Sequence, residues 1–109
     1  VAKRMSEILK PTNVKVLHLS SFYQPAMEAA YLESQGIQAD HQGDHAGVAD
    51  MAQIMVVRSD AVRPIGVLKD LDAKNMGMTG SPDKATEKMG AELLRLRLDA
   101  VMRQIRGNN

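Results

Sequence analysis

The chain has 109 residues, which suits one small domain with a single core, and we predict a single domain over residues 1–109. Its content of 44% hydrophobic and 25% charged residues is typical of a globular chain and argues against disorder. A net charge of +1 gives no general attraction to nucleic acid or membrane, and no apolar run approaches the ~20 residues that span a bilayer. Because cysteine is absent, disulfides and thiolate metal sites are excluded and a cytoplasmic protein is favoured.

The first third of the chain predicts a helix, a strand and a second helix. Residues 1–10 carry apolar side chains at helical spacing, and Pro11 ends that helix. Residues 13–20 alternate apolar and polar side chains and are rich in β-formers, so they predict a strand. Residues 25–35 predict a helix that begins at a proline and ends at Gly36.

The rest of the chain predicts two further helices separated by loops. Residues 37–47 are polar and predict a loop, and residues 47–58 predict a helix with a broad apolar face. Residues 65–82 show little periodicity and predict a long connection. The last helix is expected from Pro82 to Arg106, with the preceding serine as its N-cap.

The predicted fold class is α/β, with few strands and a long C-terminal helix. One strand is not stable alone, so residues 13–20 must pair with another chain or with weaker strands at 37–41 and 65–69. Packing is also expected to be soft, because one phenylalanine and two tyrosines stand against eight methionines. Both features suggest that another segment or subunit completes the domain, and a homo-oligomer is predicted.

Candidate chemistry is concentrated in the polar loop before the third helix. A structural interpretation is that its aspartates and histidines cap the helix. In the functional interpretation, Gly43 and Gly47 allow a ligand close approach, and Asp50 orients His45 for acid–base catalysis. The i, i+4 spacing of His41 and His45 suits a helical metal pair, but the intervening glycine disfavours a helix there.

Four arginines of the last helix offer a second candidate surface (Arg95, Arg97, Arg103 and Arg106). Acidic residues interrupt them and no aromatic residue accompanies them for base stacking. A solvated, salt-bridged helix face is therefore predicted, and no nucleic-acid partner.

Two segments in the same order resemble the creatininase (creatinine amidohydrolase) family. Residues 43–62 read Gly-Asp-His-Ala-Gly-Val-Ala-Asp and continue as an apolar helix to Arg-Ser-Asp-Ala-Val. Residues 77–86 read Gly-Met-Thr-Gly-Ser-Pro-Asp-Lys-Ala-Thr before a long helix. The resemblance implies a three-layer α/β/α domain in which zinc or manganese activates water against a cyclic amide or related C–N bond.

The same resemblance assigns roles to individual residues. His45 matches a catalytic proton donor, and Asp50 stands where the family has glutamate. Tyr23 lies near a family aromatic residue that covers the substrate, and Asp44 and Gly47 complete the predicted substrate-binding set. The family's metal ligands come mainly from a preceding N-terminal segment and have no counterpart here, so no residue of this chain is predicted to bind metal.

Two functions follow as hypotheses. In the first, the chain is the C-terminal part of a creatininase-like amidohydrolase, inactive alone and completed by an N-terminal half or by another subunit. In the second, it is a non-catalytic oligomeric binding or interaction domain derived from that fold.

Overall fold

The protein is helical in the computed structural model, which describes residues 1–63 and 76–107. This part of the chain contains no β-strand, so the predicted α/β class and its three-layer α/β/α architecture are wrong. The α-helices are α1 (Ala2–Leu9), α2 (Pro25–Ser34), α3 (Ala39–Gln42), α4 (Val48–Val57) and α5 (Glu87–Gly107). Short 3-10 turns cover Lys10–Thr12, Ser20–Phe22, Ser59–Ala61 and Pro82–Lys84.

The local signals for the first two predicted helices are confirmed. After α1 the chain forms the 3-10 turn that contains Pro11. Asn13 ends this turn in the left-handed conformation, with φ +63°. Helix α2 begins at a proline and ends before Gly36, which takes φ +82°. The amide of Ile37 then donates to the Leu32 carbonyl at 2.9 Å, closing the helix end as a C-terminal glycine cap does.

The predicted strand over residues 13–20 is wrong, and the following turn shows how this region is held. Residues 13–19 have no regular structure, and Ser20–Phe22 forms a 3-10 turn that packs on α5. The Ser21 amide donates to the Gln104 side-chain oxygen at 3.1 Å, and the Ser21 hydroxyl donates to the Ala100 carbonyl at 3.2 Å. Helix α5 therefore holds the turn that follows residues 13–19, and the Gln104 side-chain amide also donates to the His18 carbonyl at 2.7 Å.

The two weaker strand candidates have different outcomes. Residues 37–41 do not form a strand, because α3 begins at Ala39. The Gln42 side chain donates to the carbonyls of Ala29 and Ile37, which ties α3 to the end of α2. Residues 65–69 lie outside the described residues.

The last helix begins five residues later than predicted. Pro82–Lys84 forms a separate 3-10 turn, and α5 begins at Glu87. The Thr86 hydroxyl caps it by accepting the Met89 amide at 3.2 Å. Ser81 has no capping role, because its hydroxyl instead lies 2.8 Å from His41 Nδ1.

The core lies mainly between α4 and α5. Its main cluster of buried residues is small: Leu32, Ile37, Val48, Ala52, Ala85 and Leu93. Gly90 allows the two helices to touch, since a Cβ there would overlap the Ala52 carbonyl oxygen. Val48, the first residue of α4, is also fully buried, so the N-terminus of α4, where the loop with the candidate residues ends, is packed in the core. Within the described ranges, no helix is both long and apolar enough to cross a membrane.

Candidate functional site

The loop over residues 43–47 is fastened to the segment over residues 79–81. The amides of Asp44 and His45 donate to the Thr79 hydroxyl oxygen at 2.7 and 3.0 Å. The Thr79 amide donates in return to the His45 carbonyl at 2.9 Å, and the Ser81 amide donates to the His41 carbonyl at 2.8 Å. The two segments that carry the family resemblance therefore contact each other directly.

Two glycines make this contact possible. Gly43 and Gly80 adopt φ values of +73° and +74°, in the left-handed region that glycine favours. A Cβ on Gly43 would overlap the Thr79 carbonyl, and a Cβ on Gly80 would lie 2.6 Å from the Gly43 nitrogen. The non-glycine Ala46 is also held in the left-handed region, at φ +46°. Glycine favours the conformations at positions 43 and 80 locally, whereas the left-handed conformation of Ala46 depends on the contact between the two segments.

Beside the fastened loop lies a cleft of about 440 Å³, which we call the site cleft. Four of the five predicted site residues line this cleft, and they come from separate parts of the chain: Tyr23, Asp44, His45 and Asp50. Its other lining residues are Pro25, Glu28, Ala29, Leu32, Gln42, Gly43, Ala49 and Arg97.

The fifth predicted site residue, Gly47, has a different position. It is buried and does not line the site cleft. It precedes the first turn of α4, and a Cβ there would overlap the Gln42 carbonyl oxygen. Its place in the structure is therefore backbone packing at the start of α4.

His45 and Asp50 share the site cleft without contacting each other through a hydrogen bond. Both residues are exposed, and within the described residues no hydrogen bond involves either side chain. The predicted orientation of the His45 ring by Asp50 is thus not formed here. Each side chain is instead accessible to a molecule in the cleft.

Arg97 is the cleft residue that the sequence interpretation missed. Its Nε and Nη2 donate to Oε1 of Glu28 at 2.8 and 2.5 Å, and both side chains are only 12% exposed. Its guanidinium carbon lies 5.4 Å from the ring centroid of Phe22 and 5.8 Å from that of Tyr23, within cation–π range.

A signal for this position was present in the helical spacing. Arg97 follows Leu93 by four residues and precedes Ala100 by three, so it shares their buried face. Arg95, by contrast, fits the predicted solvated face, since it pairs with Glu92 and Asp99 on its own helix. The prediction of one solvated face for all four arginines is therefore wrong at Arg97.

The ionic groups of the site cleft leave it with an excess of negative charge. Glu28 and Arg97 offset one another as an ion pair. Asp44 and Asp50 add two carboxylates with no cationic partner among the described residues. The cleft therefore favours ligands that donate hydrogen bonds or carry positive charge.

A metal site is not formed by the part of the chain that the structure describes. No group of three or more histidine, cysteine, aspartate or glutamate side chains in it could hold a metal ion. Helix α3 ends at Gln42, so His41 and His45 do not lie on one helix, as Gly43 predicted. The described residues thus offer no ligand set for the zinc or manganese that the resemblance implies.

Asp50 also borders a second, more apolar groove of about 290 Å³. Methionine and aliphatic side chains dominate its lining, which includes Met51, Ile54, Val62, Met76 and Met78. The groove lacks His45 and Tyr23, so the candidate chemistry lies in the site cleft.

Together, these features define a small helical domain with a polar cleft. Comparison of the chain with protein-family models, curated proteins and solved structures gives no match. The resemblance to the creatininase family therefore stays a prediction that rests on the residues of the two segments.

Proposed function

We propose that this domain binds a small nitrogen-containing molecule in the site cleft. The proposal rests on one observation, that polar side chains from separate parts of the chain line the same cleft. Tyr23, the loop residues Asp44 and His45, Asp50 of α4 and Arg97 of α5 are far apart in sequence and line one cleft.

The size and chemistry of the cleft fit such a ligand. Its volume of about 440 Å³ lies in the range of small-molecule sites, roughly 300–1,000 Å³. The carboxylates of Asp44 and Asp50 accept hydrogen bonds from N–H groups, and the exposed ring of Tyr23 offers an apolar face. The excess negative charge favours a protonated amine or amidine over an anion of the same size.

A titration with two probes tests the proposal. Methylguanidinium and acetate are added in turn to ¹⁵N-labelled protein, and backbone amide shifts are followed by NMR. Methylguanidinium should shift the amides of Asp44, His45 and Asp50, and acetate should not. Asp50→Asn should weaken methylguanidinium binding about tenfold, because it removes a charge-assisted hydrogen bond.

Asp60→Asn is the matched control, because Asp60 pairs with Arg58 on the surface and does not line the cleft. It should leave the affinity for methylguanidinium unchanged. Equal shifts with acetate and methylguanidinium, or equal affinities in the two variants, would contradict the proposal.

A second function is the first hypothesis from the sequence, a creatininase-like amidohydrolase completed by metal ligands from another segment or subunit. The supporting observation is that the two segments of the resemblance pack together through Thr79. In this function His45 donates a proton to the leaving nitrogen of a cyclic amide.

Hydrolysis of creatinine with added zinc or manganese tests the second function. The wild-type chain and His45→Ala are assayed alone and with a candidate metal-binding partner. Activity that requires the partner and is lost in His45→Ala is expected. Equal rates in wild type and variant would contradict a role for His45.

We also place the protein in the cytoplasm, in keeping with the cysteine-free composition. Fractionation of cells that express the tagged chain checks this location, and recovery outside the cytoplasmic fraction would contradict it.

A further inference from the structure

Helix α1 carries an apolar face that the described residues leave exposed. Met5 and Ile8 lie three residues apart on this face and are 40% and 57% exposed, and the helix contains no buried residue. A different side of α1 contacts the rest of the chain, since the Ser6 hydroxyl lies 3.5 Å from the Val16 carbonyl. The face with Met5 and Ile8 is therefore open to another surface.

Positive charge is concentrated around the same helix. Glu7 is the one acidic side chain of residues 1–19, against four basic side chains, all of them exposed: Lys3, Arg4, Lys10 and Lys15. Because the whole chain has a net charge of only +1, the remaining residues together carry a net negative charge. Within the described ranges, no ion pair involves any of these five side chains. The small net charge of the chain thus conceals a basic region around α1.

The surface next to α1 extends this basic region. Lys10 and Lys15 line a shallow groove beside the helix, together with Val14, which is 52% exposed. No acidic side chain lines the groove. Apolar and basic groups therefore occur together on this part of the molecule.

This combination indicates what kind of surface α1 fits. A nucleic acid would attract the basic side chains but would leave Met5 and Ile8 in water, and residues 1–19 offer no aromatic ring for base stacking. A neutral apolar surface would use Met5 and Ile8 and leave the charges unused. An anionic lipid surface uses both, because its headgroups attract Lys and Arg and its acyl boundary accepts apolar side chains.

We propose that α1 lies on an anionic lipid surface, with Met5 and Ile8 at the boundary between headgroups and acyl chains and Arg4 and the lysines among the headgroups. A helix of eight residues buries few apolar side chains, so the contact is reversible and sensitive to salt. The cytoplasmic leaflet of a cell membrane is anionic, which agrees with the cytoplasmic location proposed above. The contact does not involve the site cleft and does not depend on its ligand.

Co-sedimentation of the full chain with lipid vesicles tests the proposal. One set of vesicles is phosphatidylcholine alone, and the other is an equimolar mixture of phosphatidylcholine and phosphatidylglycerol. At about 50 mM salt the wild-type chain should sediment with the mixed vesicles and not with the neutral ones. Binding should be lost at about 500 mM salt, because screening then removes the attraction between the headgroups and the basic side chains.

Two variants of α1 separate the roles of charge and apolar contact. Arg4→Gln should weaken binding to the mixed vesicles about fivefold, the usual effect of one basic residue near a membrane surface. Ile8→Gln should weaken it roughly tenfold, because it removes an apolar side chain from the lipid boundary. Glutamine is a good helix former, and circular dichroism checks that the helix content is kept. If Ile8→Gln loses helix content, Arg4→Gln decides.

Each variant has a matched control on a distant helix. Arg103→Gln removes an exposed arginine of α5, and Val57→Gln removes a valine of α4 that is 64% exposed. Both should bind the mixed vesicles as the wild type does. A loss of binding in the controls as large as in the α1 variants would overturn the proposal, because the contact would then not lie at α1.

Three further results would overturn the proposal. The first is no binding to the mixed vesicles at low salt, and the second is equal binding to neutral and mixed vesicles. The third is tighter binding to polyglutamate or RNA than to the mixed vesicles, which would assign the basic region to an acidic polypeptide or to a nucleic acid instead.

Discussion

At the residue scale, one hydroxyl group maintains the shape of the candidate loop. Thr79 Oγ1 accepts the amides of both Asp44 and His45, and these bonds connect segments that are 35 and 34 residues apart. The same segments approach closely only because Gly43 and Gly80 lack a Cβ. The Thr79 hydroxyl therefore acts together with the backbone bonds of Thr79 and Ser81 to hold the loop that carries His45.

Substitution of Thr79 tests this role. Thr79→Val keeps the shape and removes the acceptor, and it should lower the free energy of unfolding by about 1 kcal/mol, since the freed amides are exposed to water. Hydrogen exchange at Asp44 and His45 should accelerate. Thr79→Ser retains the oxygen and serves as the control; if it and the valine variant exchange at the same rate, the hydroxyl does not hold the loop.

A second residue-scale prediction concerns Tyr31. Burial raises the pKa of its phenol above the usual value of 10.0, and the negative charge of Glu92 raises this pKa further. The folded state therefore prefers the neutral phenol. Stability from this preference is fully present below pH 10 and is lost as the pH rises through the raised pKa of the folded state.

Tyr31→Phe removes this titration. The thermal midpoint of the wild type should fall more steeply above about pH 10 than that of the variant, and the two should run parallel between pH 7 and 9. Unfolding scans across this range measure the difference. Identical slopes above pH 10 would show that Tyr31 ionisation is not linked to folding.

At the element scale, the contact between α4 and α5 is the main packing interaction. Val48, Ala52 and Leu93 are fully buried there, and Gly90 brings the two backbones together. Helical periodicity predicts both helices, but it does not predict that a glycine inside α5 is a packing site. The ordinary expectation is that glycine weakens a helix interior.

Replacement of Gly90 by alanine should therefore destabilise the protein, although alanine is the better residue in an ordinary helix interior. Gly90→Ala gains up to about 1 kcal/mol of helix propensity, but overpacking against the Ala52 carbonyl costs about 1–3 kcal/mol. Net destabilisation is expected in urea unfolding. Gly107→Ala is the control, because a Cβ there meets nothing within 4 Å. A Gly90→Ala protein as stable as the control would mean that the helices separate without cost.

At the scale of the whole molecule, the protein is elongated. Its radius of gyration is 17.4 Å and its extents are 57 × 27 × 25 Å, whereas a compact chain of 100 residues has a radius near 13 Å. Helix α1 contains no buried residue, and the Ser6 hydroxyl reaches the Val16 carbonyl only at 3.5 Å. Stability is therefore expected to be uneven along the chain.

Hydrogen exchange measured along the whole chain checks this expectation. Amides of α1 should exchange orders of magnitude faster than those in the middle of α4 and α5, because few buried contacts oppose opening of α1. Uniform protection across the three helices would contradict this view and would indicate that α1 is packed against another surface in solution.

Most helices were predictable from the sequence because their signals are local. Apolar spacing, Pro25 and Gly36 specify where helices begin and end without help from distant residues. Residues 13–20 were mispredicted for the same reason, because alternation is a weak local preference and strand formation needs a partner. Here Gln104 of α5 donates a hydrogen bond to the His18 carbonyl and accepts one from the Ser21 amide of the following turn, and no local pattern encodes these contacts.

The candidate site was likewise predictable from the sequence only in part. The glycines and the helix start marked Asp44, His45 and Asp50 as candidates, and the resemblance to the creatininase family added Tyr23. Only the tertiary structure decided that they share one cleft and that Arg97 joins them. Chemistry belongs to individual side chains and can be read along the chain, whereas proximity depends on contacts between segments such as those at Thr79 and Gly90, which form only when the chain folds.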